Sequence, residues 1–159
     1  LYVNHKNIVN KIGKAKLCEE LKLSLSELDD ILDKYEVIPN KKQIPLVERL
    51  TKEALLIALN RHCGSYRNLY GLEGKIRVAE GKDLTNVKYI IGTGGALTRL
   101  PNRINLLKDL ISKQDPMKLM PPKNVYILID NDYIMASIGV ISLKYPEQAL
   151  ELLYKSLEL

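Results

Sequence analysis

Tryptophan and phenylalanine are both absent from this chain of 159 residues, and histidine and cysteine occur only twice each. A core without them must be built from Leu, Ile, Val and Tyr. The 46% hydrophobic content supplies enough of these for one compact domain. Two cysteines, Cys18 and Cys63, cannot make a disulfide framework, which points to a reducing, cytoplasmic setting. His62 and Cys63 are adjacent and have no second ligand pair, so a zinc site is not expected. The longest apolar run, residues 133–143, is too short to span a bilayer, and no membrane partner is expected. The chain begins at Leu1 rather than Met, so it is expected to be a piece of a longer one. No Ser/His/Asp or Cys/His set with an orienting third partner can be assigned, so no catalytic residue is expected. Asp130-Asn131-Asp132 opens like a calcium loop, but the glycine and distal glutamate of such a loop are missing. Helix capping is the better reading, and no metal site is expected.

What is present begins with charge. The net charge is +5, and residues 51–110 hold ten basic and five acidic side chains, whereas both flanks are nearly neutral. A local positive field favours an anionic ligand such as a nucleotide phosphate, and a mildly basic solvated surface is an equal alternative. Nucleic acid is not expected, because the basic residues are unclustered and no aromatics interleave them.

Residues 1–44 read as a helical subdomain. Ser24 and Glu27 fit a capping box ahead of Leu25, Leu28, Ile31, Leu32 and Tyr35 at helical spacing. Pro39 and Asn40-Lys41-Lys42 break that pattern as a linker. Pro45 opens a helix to about His62 whose second half, residues 54–59, is apolar nearly all round and should be buried on more than one side. Gly64 is expected to end it. Residues 66–80 alternate polar and apolar about Gly71 and Gly74, the pattern of a β-hairpin. Tyr89-Ile90-Ile91 forms a short strand that stops at Gly92-Thr93-Gly94-Gly95, and Pro101 suits the first turn of the helix that follows. Residues 125–129 form a second buried strand. Asp130-Asn131-Asp132 then caps a helix over 133–143, and Pro146 starts a last helix through Leu157. Helix and strand alternate through the later half, which predicts an α/β fold with parallel strands and packed helices, plus the hairpin.

A strand, a glycine loop and a helix in succession is a recurring way to meet a phosphorylated ligand, because glycine lets the backbone approach closely. The same glycines could simply turn the chain. They form neither a phosphate-binding P-loop, since no Lys-Ser/Thr follows, nor a dinucleotide fingerprint, since the spacing differs. Thr98 and Arg99 could cap the helix or touch phosphate. Asp83 could approach a ligand or stabilise its own turn.

Residues 89–101 resemble the adenosine motif of the actin and heat-shock-chaperone ATPases, where a strand ends in paired glycines followed by Thr-Arg-apolar-Pro and a helix. Residues 132–140, with Ala136, Ser137 and Gly139, resemble that superfamily's closing helix, in which small residues pack beneath the nucleotide loop. A closer resemblance is to the bacterial GlmL/MutL family, found beside cobalamin-dependent mutases and unrelated to the mismatch-repair protein of the same name. Its carrying segments are 58–62, 80–84, 91–98, 130–139 and Tyr145-Pro146-Glu147, which together cover most of 45–159.

This resemblance implies the C-terminal part of an actin-like, ribonuclease H-like ATPase domain: a lid-like helical subdomain over 1–44 and a nucleotide-binding α/β subdomain over 45–159. It implies ATP, with Mg²⁺ in the full-length protein, and as partner a cobalamin-dependent mutase or aminomutase subunit that an ATP-driven motion frees of damaged cobalamin. Carried over, Gly92, Thr93, Gly94, Gly95, Ala96 and Thr98 face the nucleotide, with Asp83 and Arg99 as further candidates. Gly94 and Gly95 would be the close-approach positions, and Gly92 the turn out of the strand. The family's two other phosphate loops are not in this chain, so it should hold one wall of the cleft and not hydrolyse ATP alone. The alternative is a structural or partner-docking module. Two structural expectations follow: the strands at 88–91 and 125–129 are parallel neighbours, and the fragment self-associates through apolar faces left without cover.

Overall fold

The computed structural model describes residues 4–71 and 74–159. Its compact units are 1–57 and 58–159. The first extends past the expected 44/45 boundary because Leu46 and Leu50 belong to its core, with Ile8, Val9, Leu17 and Leu28.

The first unit holds α1 (His5–Ile12), α2 (Lys14–Leu21), α3 (Leu25–Asp33) and the start of α4 (Ile44–His62). The capping box forms as read: the Glu27 amide donates to Ser24 Oγ, and the Ser24 amide donates to Glu27 Oε2 at 2.8 Å. The expected linker at Asn40-Lys41-Lys42 is instead a cap. The Asn40 side chain accepts from the amides of Lys42 and Gln43 at 3.0 and 3.2 Å. Gln43, buried, donates to the Lys34 carbonyl at 2.6 Å. Arg49 joins α2 to α4 through Glu20 and Glu53. Residues 54–59 of α4 are half-exposed or exposed, not buried on several sides.

In the second unit, β1 (Ser65–Gly71) and β2 (Gly74–Glu80) pair antiparallel, with Tyr70 opposite Lys75 and Gly71 opposite Gly74. Leu72 and Glu73 lie outside the described residues. The hairpin forms as read from the alternation, and its apolar residues Leu69, Tyr70, Ile76 and Val78 are all exposed. The hairpin is secured at its base and its side. Gly64 donates to the Lys82 carbonyl and accepts from the Leu119 amide, and the Arg77 guanidinium lies 4.1 Å from the Tyr66 ring centroid. Gly64 does not end α4 by a left-handed turn. It is glycine because a Cβ there would collide with the Glu80 carbonyl oxygen.

A second sheet holds β3 (Tyr89–Gly92) and β4 (Tyr126–Ile129), parallel and in register from Tyr89 opposite Tyr126 to Gly92 opposite Ile129. This meets the expectation for the two strands. Between them run α5 (Gly95–Arg99) and α6 (Arg103–Ser112). Pro101 lies in the turn that separates these helices, not in the first turn of α6. Leu100 is extended, at φ −67° and ψ 138°, the conformation a following proline favours, and α5 therefore stops there. After β4 come α7 (Met135–Ile141) and α8 (Pro146–Leu157), which pack on each other. Among the described residues, no helix is long and apolar enough to cross a membrane.

Candidate functional site

Parallel strands that feed helices leave a crevice at their carboxyl ends, where ligands of open α/β sheets bind. Here β3 delivers Thr93 to that end and β4 delivers Asp130. Gly92, the last residue of β3, is buried and packs. A Cβ on it would lie 2.9 Å from Ile129 Cδ1 and 3.0 Å from Leu107 Cδ1. The turn expected of Gly92 is made by Gly94, at φ +92°, a value L side chains rarely adopt. At Gly94 and at Gly95 a Cβ would meet nothing within 4 Å. The loop therefore needs glycine at 94 for its backbone, and it has open space at 94 and 95. Thr93, Gly95 and Ala96 are exposed.

The loop is fixed from behind. Asp130 is wholly buried, and its carboxylate accepts four hydrogen bonds. The donors are Ser156 Oγ at 2.6 Å, Thr93 Oγ1 at 2.9 Å, and the amides of Met135 at 3.0 Å and Ile134 at 3.1 Å. The Asp130 amide in turn donates to the Gly92 carbonyl at 2.9 Å. One side chain thus joins the glycine loop, the start of α7 and the last turn of α8. Burial alone would raise its pKa, but the bonds from Ser156, Met135, Thr93 and Ile134 outweigh it and hold the carboxyl below its ordinary value. The triplet Asp130-Asn131-Asp132 does not hold the N-cap position, which is Ile134 and makes no side-chain cap bond, but Asp130 takes the amides of Ile134 and Met135 from four and five residues back. Its tie to Thr93 and Ser156 is additional.

Ser156 had no role in the sequence reading. Its hydroxyl also accepts from the Asp132 amide at 3.1 Å, and its carbonyl from the Asn131 amide at 3.0 Å. The available signal was its position: Ala149, Leu153 and Ser156 follow helical spacing on the inward stripe of α8, where a polar residue needs a partner.

The other candidates divide. Thr98 is buried, and its hydroxyl donates to the Gly94 carbonyl at 3.1 Å, so it shapes the loop from inside. Arg99 is exposed at the end of α5. Asp83 accepts from the Thr85 hydroxyl at 2.6 Å and the Thr85 amide at 2.9 Å, bonds that lower its pKa and make it a turn-stabilising carboxylate. Ala136, Ser137 and Gly139 are exposed on α7, and a Cβ at Gly139 would meet nothing within 4 Å, so these small residues are not in tight packing among the described residues. Nor does any group of three or more His, Cys, Asp or Glu among the described residues stand ready to hold a metal ion.

These features define a mixed α/β protein with small sheets and an open glycine loop at the ends of its parallel pair. The family model described as MutL protein matches residues 1–157, and the chain belongs to that family. The match takes in the helices of 1–44, which the motif resemblance left out. A curated relative, Protein MutL of Clostridium tetanomorphum, is 32% identical over 117 residues, covering 74% of this chain and 25% of the relative. The matched segment thus spans a quarter of that relative's length. No solved structure matches the chain.

Proposed function

We propose that this chain carries one wall of an adenine-nucleotide site in an ATPase of the actin and heat-shock-chaperone kind, and that the ATPase serves a cobalamin-dependent mutase or aminomutase. The observation that carries the reading is the open space at Gly94 and Gly95, on a loop that Asp130 holds at the carboxyl ends of two parallel strands. A loop that merely turned the chain would need glycine at 94 alone. The residues present fit a nucleotide approached by backbone at 93–96. Among the described residues no group of three or more His, Cys, Asp or Glu gathers for a metal ion, so Mg²⁺ would be held chiefly by the phosphates of the nucleotide.

With one wall only, binding should be weak, with Kd on the order of millimolar and so about −4 kcal/mol. Titration of the isotope-labelled chain with ATP, followed by amide chemical shifts, is expected to move Thr93, Gly94, Gly95 and Ala96. Shifts spread over the lysines of residues 51–110 instead would mean charge attraction without a site.

A second reading, a partner-docking module, is favoured by α7 and α8. Val140 is 70% exposed and Leu143 88%, with Leu150 and Tyr154 each about half exposed. Apolar surface so uncovered drives association. Sedimentation is expected to show reversible self-association at concentrations of roughly tens of micromolar, reduced by Leu143→Asp. A clean monomer throughout that range would rule it out.

A further inference from the structure

A groove of about 520 Å³ lies beside β4, lined by Ile104, Lys108 and Ile111 of α6 and by Lys123, Val125 and Ile127. Tyr126 lines it too, while no residue of β3 does. Val125 precedes the strand, and Tyr126 and Ile127, which alternate in direction along it, both border the groove while β3 does not, which places the groove along the strand's edge. That edge is the one turned away from β3. The Tyr126 amide donates to the Lys88 carbonyl, and the Asp130 amide to that of Gly92. By the two-residue period of a parallel ladder, the Ile127 N–H and C=O then point into the groove. A strand edge left open in this way is a template for another extended chain.

We infer that this groove receives an extended, acidic segment of a partner protein, added to β4 as a third strand. The chemistry follows from what surrounds the edge. Ile104 and Ile111 give an apolar wall for alternate side chains. Lys108 and Lys123 both line the groove and stand exposed, and neither has a carboxylate partner among the described residues. Main-chain bonds to Ile127 supply register, and carboxylates flanking the apolar positions would pair with the lysines. A second copy of this chain fits poorly, since its own β4 edge would bring the same two lysines against these.

The test uses a fluorescein-labelled octapeptide of alternating valine and glutamate, with anisotropy measured on the full chain. Saturable binding is expected, together with slowed hydrogen exchange at the Ile127 amide. The double variant Lys108→Glu/Lys123→Glu should weaken it at least tenfold. The same peptide with lysine for glutamate, or with alternate backbone nitrogens methylated, should not bind. Ile127→Pro removes the outward N–H but also the isoleucine side chain, and it fixes φ, so it is paired with Ile127→Ala, which loses the side chain and keeps the N–H. With folding of both checked by circular dichroism, Ile127→Ala should retain peptide binding and Ile127→Pro should lose it. Absence of binding, binding unaffected by charge reversal, or unchanged exchange at Ile127 would each overturn the assignment.

Discussion

Asp130→Asn is expected to cost about 3 kcal/mol of stability, read from urea denaturation at pH 7. The carboxylate is wholly buried and faces only donors: two hydroxyls and two backbone amides. Hydroxyls can rotate to offer a lone pair, but amides cannot. An asparagine side chain must place its NH₂ either where the Ile134 amide points or where the Met135 amide points, so at least one buried N–H loses its acceptor. Asp130→Ala leaves all four donors without it and should cost at least as much. Because folding lowers the Asp130 pKa below its ordinary 3.8, its stabilisation is complete at neutral pH. It declines as pH falls below that value and is lost once pH passes through the folded-state value. The gap between parent and Asp130→Asn should therefore narrow in acid. A gap independent of pH would show that the carboxylate's charge contributes nothing. Ser156→Ala should reproduce part of the loss, since it removes the shortest of the four bonds.

Much of the fold was legible because it is locally encoded. The strands at β3 and β4 are apolar runs followed by turn residues, and their parallel pairing follows from the helices between them. The Ser24–Glu27 box and the proline at the start of α8 are signals that span at most a turn. The misreadings have physical causes. Pro101 drew the start of a helix to itself, whereas its effect is on Leu100, which it holds extended. The helix read from residue 133 begins at Met135, because Tyr133 is left-handed at φ 55° and the Asp130 carboxylate takes the next two amides. The site's anchor could not be read in advance. Asp130 meets Thr93 and Ser156 across 37 and 26 residues, and no local pattern encodes such a meeting. Burial was also overestimated. Apolar periodicity says which face prefers cover, not whether cover exists: Tyr126 in a strand read as buried is 67% exposed.

The glycine loop can be tested so that folding and binding separate. Both glycines have room for a Cβ, but they differ in backbone. At Gly94, φ is +92°, and a valine there would strain the chain by about 1–2 kcal/mol, so lost binding could reflect a distorted loop. Gly95 opens α5 with no positive φ, and an added side chain meets no protein atom within 4 Å. Gly95→Val should therefore fold as well as the parent, and Gly95→Ala slightly better, by up to about 0.5 kcal/mol, since glycine is the poorer helix former. On the proposed reading, that open space is where the nucleotide lies. Gly95→Val is thus expected to abolish the ATP-dependent shifts at Thr93 and Ala96, a loss of at least tenfold in affinity, or about 1.4 kcal/mol. The Asp130–Ser156 bonds should persist, visible as unchanged amide shifts at Ile134 and Met135. A stable Gly95→Val chain with undiminished ATP shifts would mean that the open space is not where nucleotide sits. The loop would then be a turn, and function would have to be sought on the apolar surface of α7 and α8.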